Sequence, residues 1–369
     1  MNDNKTWVDF DILENFMTDV FIKMDVPKED AAVIADVLIN ADKRGIDSHG
    51  IGRFKPIYVD RIDDGILKVK TKIDIVKESP TTAVLDGNDG IGHVISKKAM
   101  SIAINKAQEY GMGMVVVRNS SHYGFAGYYP LMAVDKNMIG ITGTNARPSI
   151  APTFGVENIL GTNPLTIAMP TDEDFPFLLD CATSISQRGK IEKLAREGKE
   201  TPEGWVIGRD GSARTDTEQI LIDLVKGNAA LSPLGGIGEE LAGYKGYGYA
   251  TVVEILSAAL QGGIFLKALT GYDKYGKKQP YHLGHFFIAI NVDSFIEVNE
   301  FKKTTGEILR QLRNSEKMPG AERIFTAGEK EYIAWEGRKN KGAPLNKVLR
   351  EQLIELRDRF SLDYKFDFE

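Results

Sequence analysis

The chain has 369 residues, 42% of them hydrophobic, which is enough for two domains or one large domain with a sizeable buried core. A net charge of −6 and the lack of a basic stripe interleaved with aromatic residues give no reason to expect a nucleic-acid partner. The single cysteine, Cys181, excludes an internal disulfide, the N-terminus lacks a signal-peptide pattern, and no stretch forms an uninterrupted membrane span. We therefore expect a soluble, cytoplasmic protein without a membrane partner.

The first 72 residues are predicted to be mostly helical. Apolar residues recur at helical spacing over residues 6–24 and again from Pro27 to Lys43. Proline suits the first turn of the second helix, and Gly45 is a plausible left-handed stop after its last turn. A shorter helix is predicted from Pro56 through Ile62. The polar loop from Arg44 to Arg53 therefore follows the end of a helix that has a packed apolar face.

The loop from Arg44 to Arg53 concentrates reactive groups. A carboxylate, a hydroxyl, an imidazole and two guanidiniums occur within ten residues, among them Ser48, His49 and Arg53. Three of the ten residues are glycines, which allow sharp turns and a close approach of the backbone to a ligand. The loop is a candidate binding site, and the alternative is a polar loop that merely follows a helix.

Between residues 73 and 297 the pattern changes to short strands that alternate with helices, which predicts an α/β domain. The β-branched run Met114–Arg118 is one predicted strand, and the apolar run His285–Asn291 is another. From residue 298 to residue 369 the pattern returns to helices, over Val298–Leu312 and Asn346–Arg359.

The glycine-rich loop Gly87–His93 precedes a predicted helix and invites a phosphate-binding interpretation. Its glycines at 87, 90 and 92 do not match the G-x-G-x-x-G fingerprint of dinucleotide-binding folds, and no Walker motif occurs. A dinucleotide would therefore have to bind through a different glycine pattern from that of the doubly wound fold.

Polar loops that follow predicted strands are further candidates for ligand binding. Ser121–Gly124 follows one strand, and its His122 could act as a base, bind a cofactor or simply bond to the backbone. Gly161–Pro164 offers a backbone turn with a hydroxyl and an amide. In Leu179–Lys190, small polar residues lead into a helix start whose amides would suit a pyrophosphate. The Lys190 side chain could enter that site or lie on the surface.

Taken together, these stretches resemble the malate/L-lactate dehydrogenase family that lacks the classical dinucleotide fold. That family also includes sulfolactate, ureidoglycolate and diketogulonate dehydrogenases and cyclic-imine reductases. The matching stretches occur in family order, cover nearly the whole chain, and are weak singly but specific together. They are Arg44–Arg53, Ser121–Gly124, Gly161–Pro164, Leu179–Lys190, Glu203–Trp205, Pro233–Gly236, Gly243–Gly246 and Gly284–Phe287.

The resemblance implies an α/β fold in which residues 73–297 form a non-Rossmann NAD(P)-binding unit with a mixed sheet. It implies a helical unit built from both chain ends, in which residues 298–369 pack with residues 1–72. It also implies a homodimer with sites near the subunit interface. One departure is Ala327-Gly-Glu329, where the family usually has Pro-Gly-Glu.

The resemblance also implies roles for the candidate residues. Oxidation of a 2-hydroxy acid needs a clamp for the carboxylate, a base for the hydroxyl proton and a nicotinamide held against C2. Arg53 can clamp a carboxylate with two parallel hydrogen bonds, which a lysine cannot reproduce. We predict that His49 exchanges the proton with Ser48 in its relay, and that His122 is the rival for this role. Thr162 and Asn163 are predicted to bind the substrate, and Lys190 is predicted to be a catalytic residue that acts as the electrostatic partner in the same pocket.

The predicted cofactor is NAD, with NADP as the alternative, and no metal site is predicted. The predicted cofactor-binding residues are Ser121, His122, Tyr123, Gly124, Asp180, Ala182, Thr183, Ser184, Leu234, Gly235, Gly328 and Glu329.

The predicted function is a dehydrogenase that transfers a hydride between NAD(P) and a small 2-hydroxy or 2-keto carboxylic acid. The first candidates for the substrate pair are malate and oxaloacetate or L-lactate and pyruvate. The alternatives are a ureidoglycolate-, sulfolactate- or diketogulonate-type dehydrogenase, a cyclic-imine reductase, and a non-catalytic ligand-binding protein. Some imine reducers carry an acid at the position of Lys190, so the lysine favours keto acids.

Overall fold

The central feature of the computed structural model, which describes residues 6–369, is a seven-stranded mixed sheet. The strands of the described residues, which include the seven of this sheet and two separate pairs, β1 with β11 and β8 with β9, are β1 (Thr6–Val8), β2 (Asp74–Glu78), β3 (Thr82–Asp86), β4 (Met112–Ser120), β5 (Met138–Thr144), β6 (Leu165–Met169), β7 (Phe177–Cys181), β8 (Val206–Gly208), β9 (Ala229–Leu231), β10 (Leu283–Asn291) and β11 (Ala343–Leu345). The α-helices are α1 (Phe10–Lys23), α2 (Lys28–Lys43), α3 (Asp60–Asp63), α4 (Gly92–Tyr110), α5 (Tyr128–Val134), α6 (Arg188–Arg196), α7 (Thr217–Lys226), α8 (Gly243–Ala258), α9 (Val298–Arg313), α10 (Glu329–Arg338) and α11 (Lys347–Phe360).

The order of the strands in the sheet confirms the prediction of a non-Rossmann α/β fold. The order is β2-β3-β4-β10-β5-β6-β7, and only β3 and β4 pair in parallel. A doubly wound dinucleotide-binding sheet is mostly parallel, because helical crossovers connect its strands. Here β10 enters the middle of the sheet and pairs antiparallel with both β4 and β5. Helices α4 and α5 pack on one face of the sheet, and α8 packs on the other.

The two chain ends share one hydrophobic core, which confirms the helical unit built from both ends. Strand β1 pairs antiparallel with β11. Leu13 and Phe16 of α1 and Leu353 and Leu356 of α11 are completely or almost completely buried in the same cluster. Helix α9 instead lies against the turn between β6 and β7, where Arg310 pairs with Asp172. The boundaries at residues 72 and 297 stay a proposal.

The helix that leads into the Arg44–Arg53 loop has the predicted bounds. Helix α2 begins after Pro27, and Gly45 adopts a φ of +75° directly after its C-cap, as the left-handed stop requires. A 3-10 turn over Ile51–Arg53 and a π-helical turn over Phe54–Val59 then lead into α3. The loop is therefore held between two helical segments.

Among the described helices, none combines the length and the apolar character needed to cross a bilayer.

Candidate active site

Two adjoining cavities form a cleft beside the Arg44–Arg53 loop. The inner cavity has a volume of ≈ 250 Å³ and the outer cavity one of ≈ 410 Å³. Both are lined by His49, His122, Ala146, Thr162, Gln187 and Leu283. The inner cavity is further lined by Ser48, Tyr123, Gly124, Asn145, Asp180, Ala182 and Glu331. The outer cavity is further lined by Arg53, Ile57, Arg61, Arg147, Arg188 and Tyr281.

The Arg44–Arg53 loop is anchored by Asp42, a buried residue near the end of α2. Asp42 Oδ2 accepts a hydrogen bond of 2.7 Å from the backbone N–H of Ile51. Gly50 is required above this carboxylate, because a Cβ at that position would lie 2.1 Å from Asp42 Oδ1. Burial raises the pKa of Asp42 to about 8. On the other side of the loop, Asp47 accepts a hydrogen bond of 3.1 Å from Arg338 Nη2 of α10.

His49, Ser48 and Arg53 form one hydrogen-bonded group, as the sequence predicts for neighbours in a short loop. Ser48 Oγ lies 2.9 Å from His49 Nδ1. Arg53 Nε donates a 2.6 Å bond to the carbonyl oxygen of Ser48, which fixes the guanidinium plane and leaves both terminal nitrogens for a ligand. Burial lowers the pKa of His49 to about 4, and the Arg53 charge adds to the lowering. The imidazole is therefore neutral at physiological pH and can accept a proton.

His122 faces His49 across the cleft, although the two residues belong to different units. Their rings are stacked with centroids 6.0 Å apart and planes 11° from parallel. Tyr58 Oη lies 2.6 Å from His122 Nδ1, and the backbone N–H of Gly124 donates to the same nitrogen at 3.2 Å. Because a backbone N–H can only donate, Nδ1 is the acceptor, and the proton of the neutral ring resides on Nε2. Burial, and then the nearby His49, lower the pKa of His122 well below its usual value.

Two more histidines lie behind this pair, and neither was predicted as a site residue. His93 is fully buried against the Tyr58 ring at 4.6 Å, and neither of its nitrogens has a partner within residues 6–369. His285 Nδ1 lies 2.7 Å from Thr144 Oγ1, and its ring stacks on Tyr123 at 4.6 Å. Burial lowers the pKa of each imidazole to about 3, so both are neutral. They form an uncharged wall that holds Tyr58 and Tyr123 in place.

Several predicted cofactor residues lie at the inner cavity. Tyr123, Gly124, Asp180 and Ala182 line it directly. Asp180 is held by two hydrogen bonds, one of 2.8 Å from the backbone N–H of Gly127 and one of 2.9 Å from the Thr166 hydroxyl. Burial raises the pKa of Asp180 above its usual value.

The loops after β7 and β9 bring Thr183, Ser184 and Leu234 together. The backbone N–H of Leu234 donates a 2.8 Å bond to the carbonyl oxygen of Thr183. The Ser184 hydroxyl is buried and has no partner among the described residues. Gly235 has a φ of +98° and packs so closely on the start of α8 that a Cβ would lie 2.6 Å from the Ala242 backbone. Leu234 is exposed beside this turn.

Other predicted cofactor residues have partners of their own. The Ser121 hydroxyl accepts from the N–H of Gly92 at 2.8 Å and donates to the carbonyl of Gly90 at 3.0 Å, so it holds the start of α4. Glu329 accepts from the N–H of Thr326 at 3.1 Å and pairs with Arg323. These contacts stabilise loops and a helix start.

Gly328 has a φ of +94° at the start of α10 and lines a third cavity of ≈ 310 Å³. This cavity adjoins the inner one at Glu331, which lines both.

Two of the residues predicted for catalysis or substrate binding do not line the cleft. Asn163 is fully buried, and its amide donates to the Ala250 carbonyl at 3.1 Å and to Glu254 Oε2 at 2.8 Å. Its Oδ1 accepts from the N–H of Ala146 at 3.1 Å, so Asn163 positions a residue that lines both cavities. Lys190 extends from α6 with its ammonium 5.4 Å from the Trp205 ring centre and lines neither cavity of the cleft. Direct contact of either side chain with a substrate stays a prediction.

The residues of this site that the sequence did not predict include Asp42, Tyr58, Arg61 and Arg147. Arg61 had a usable signal, because it lies in the helix predicted from Pro56 through Ile62, directly after the Arg44–Arg53 loop.

The comparisons with known proteins agree with one another over nearly the whole chain. The model of the family described as malate/L-lactate dehydrogenase matches residues 8–354. A malate dehydrogenase of Pyrococcus horikoshii is 43% identical over 363 residues, which covers 98% of this chain and 98% of the relative. An L-sulfolactate dehydrogenase of Methanocaldococcus jannaschii is 41% identical over 353 residues and covers 95% and 96%. The crystal structure of a malate dehydrogenase from Entamoeba histolytica superposes with a TM-score of 0.94 at 46% identity, covering 98% of this chain and 100% of that one.

Proposed function

The chain belongs to the malate/L-lactate dehydrogenase family, and on that premise we propose that it interconverts malate and oxaloacetate with a nicotinamide cofactor. The observation that carries the proposal is the placement of Arg53, Ser48–His49 and His122 around one cleft. L-Lactate with pyruvate is the second candidate pair, since Arg53 alone would suffice for its one carboxylate. Sulfolactate is the third, because a relative 41% identical is an L-sulfolactate dehydrogenase.

In the oxidation direction, Arg53 binds the substrate carboxylate with its two terminal nitrogens while Ser48 holds its Nε. His49 begins neutral and takes the hydroxyl proton at Nε2, because its Nδ1 is bonded to Ser48. The bound nicotinamide supplies the acceptor for the hydride. In reduction His49 must begin protonated, and the bound carboxylate offsets the Arg53 charge that lowers the pKa of His49.

His122 orients the substrate in this proposal. Its Nε2–H is the free donor, since Tyr58 and Gly124 both donate to Nδ1. A neutral imidazole donor beside the substrate oxygen stabilises the alkoxide that develops as the proton leaves. The rival assignment exchanges the roles of the two histidines.

The residues at the inner cavity fit a nicotinamide cofactor. Tyr123 lines the inner cavity, and its buried hydroxyl, like that of Ser184 in the loop after β7, has no partner among residues 6–369, which is the state expected of groups that bond to a ligand. We assign NAD, because Asp174 and Glu331 line the third cavity and would repel an additional phosphate. Lys43 and Arg44 line the same cavity and keep NADP as the alternative.

A homodimer is part of the proposal. Helix α8 carries Tyr249, Val252 and Ile255 exposed on its surface, while its Val253 packs on the sheet. Exposed apolar residues on one long helix suit a subunit contact. Sedimentation equilibrium of the wild-type chain should give twice the chain mass, and Val252→Asp should lower the association constant. A monomer mass at micromolar concentration would contradict this part.

The free thiol of Cys181 suits a cytoplasmic location.

The decisive assay measures initial rates with oxaloacetate, pyruvate and sulfopyruvate against NADH and NADPH. We expect oxaloacetate with NADH to have the highest kcat/KM. Binding of each reduced cofactor is followed separately by tryptophan fluorescence and by the shift in Tm that ligand linkage produces. Failure of both cofactors to bind at millimolar concentration would refute the dehydrogenase proposal.

A further inference from the structure

The outer cavity is lined by more positive charge than one substrate carboxylate neutralises. Arg53 ends the 3-10 turn, Ile57 lies in the π-helical turn and Arg61 lies in α3, and all three line the cavity. Ile57 lies between the two arginines in the sequence and adds apolar surface to the same cavity wall. Arg147, from the loop after β5, lines the same cavity.

These guanidiniums lack acidic partners. Arg188 pairs with Glu192 at 2.9 Å, whereas Arg53, Arg61 and Arg147 have no carboxylate within 4.0 Å among residues 6–369. Burial lowers the pKa of Arg61, and the nearby Arg147 and Arg53 charges add to the lowering. Arg53 and Arg61 are half-buried, whereas Arg147 is exposed, and half-buried charges of one sign are costly unless a counter-charge joins them. The outer cavity therefore calls for an anion in addition to the one that Arg53 binds.

Arg61 is held in a defined position by an aromatic ring. Its guanidinium carbon lies 4.5 Å from the centre of the Tyr281 ring. The ring packs against Gly271, where a Cβ would lie 2.6 Å from it. Lys278 of the same segment pairs with Asp64 at 2.7 Å, one turn beyond Arg61. The segment before β10 thus fixes Arg61 from outside and leaves its edge open to the cavity.

Both arginines act on the facing histidines. The Arg53 charge lowers the pKa of His49 and also that of His122, and the Arg61 charge lowers the pKa of His122, whose ring is bonded to Tyr58. Tyr58 lies between Ile57 and Arg61 in the helical path. A small ligand between the stacked imidazoles therefore lies in the field of both guanidiniums, which line the same cavity.

We propose that Arg61, positioned by Tyr281, binds a second acid group on the substrate, so that the enzyme selects 2-hydroxy acids with a carboxylate or sulfonate at the far end. This inference rests on the proposed function, because it concerns the same cleft. It excludes L-lactate and pyruvate as the preferred pair, since their methyl group would face the unpaired guanidinium. A carboxylate and a sulfonate offer the same chemistry here, and the substrate panel separates them.

The test compares kcat/KM for oxaloacetate, sulfopyruvate and pyruvate in the wild type and in Arg61→Met. Loss of a charge-assisted hydrogen bond is expected to reduce kcat/KM about tenfold to a hundredfold on the preferred two-acid substrate. The ratio of that value to the value for pyruvate should therefore fall at least about tenfold. A ratio that stays within about twofold of the wild type would overturn the assignment.

Two further variants serve as controls. Arg53→Lys should lower kcat/KM for two-acid and one-acid substrates alike, because it damages the carboxylate site that they share. Arg196→Met removes the same charge at the exposed end of α6, outside all the cavities described, and should leave every rate unchanged. If Arg61→Met is poorly folded by circular dichroism, Arg61→Lys takes its place. It keeps the charge but loses the planar stack on Tyr281, and should also lower the ratio.

A binding experiment separates this inference from the proposed function. Calorimetry of the full chain with succinate and with butyrate compares two acid groups with one, without any turnover. We expect the wild type to bind succinate at least about tenfold more tightly, and Arg61→Met to lose that preference. If the protein binds succinate more tightly than butyrate but turns over no keto acid, the proposed function is refuted and the Arg61 site stands. Equal binding of the two acids would overturn the Arg61 site, whatever the enzyme turns over.

Discussion

Replacement of Arg53 by lysine tests the carboxylate clamp most directly. The guanidinium has three nitrogens, and Nε is engaged with the Ser48 carbonyl at 2.6 Å. The two terminal nitrogens remain for two parallel bonds to a carboxylate. A lysine has a single nitrogen at the end of a flexible chain, so it cannot keep the Ser48 bond and also bind both carboxylate oxygens.

The expected loss is at least one charge-assisted hydrogen bond, worth about 1.5–3 kcal/mol. A difference of about 1.4 kcal/mol is tenfold, so kcat/KM for oxaloacetate should fall at least about tenfold in Arg53→Lys. The positive charge remains, so the Arg53 contribution to the low pKa of His49 remains as well. The variant should therefore keep the wild-type dependence of kcat/KM on pH.

Arg53→Gln is the matched variant that removes the charge. Loss of the charge raises the pKa of His49 from about 4, and the pH profile of reduction should move to higher pH. Initial rates with saturating reduced cofactor between about pH 5 and pH 8 measure both effects. Unchanged kinetics of Arg53→Lys with a 2-keto acid would remove Arg53 from the site.

Four further outcomes follow from the same geometry. His49→Ala should lose kcat with cofactor affinity intact, whereas His122→Ala should weaken binding at least as much as turnover; the opposite pattern would exchange their roles. Because the pKa of His49 is about 4, kcat/KM for reduction should fall about tenfold per pH unit above pH 5, while kcat/KM for oxidation stays level; a plateau in reduction near pH 7 would contradict this. Gly50→Ala should reduce kcat/KM at least about tenfold because its Cβ would lie 2.1 Å from Asp42 Oδ1, whereas Gly52→Ala, whose nearest contact is at 3.4 Å, should stay within about twofold; equal losses would exclude this contact as the cause. Because the pKa of Asp42 is raised to about 8 in the folded protein, the wild type loses stability as pH rises toward that value. The Tm of Asp42→Asn should therefore exceed that of the wild type by a margin that grows from about pH 5 to pH 8. A constant margin would mean that the carboxylate is already ionised in the folded protein.

The sequence alone determined the features that depend on neighbouring residues. The periodicity before Lys43 and the glycine at 45 specify a helix and its end, and the structure has both. Ser48, His49 and Arg53 lie within six positions, so a short loop was sufficient to bring them together. The sequence analysis did not identify α7 or α10, although α7 has the local signals of a helix in its N-cap Asp216 and its left-handed Gly227.

The tertiary structure decided which distant residues join that loop. Tyr58 and His122 are 64 positions apart in the chain. They meet because α4 and the end of β4 place the Ser121–Gly124 loop against the helical unit. Asn163 and Lys190 have residue types suited to a substrate site, but the first is used in buried bonds to α8 and the second lies over Trp205. A pattern of residue types states which chemistry is available. The direction of each side chain depends on packing between segments far apart in the chain, and only the folded structure supplies it.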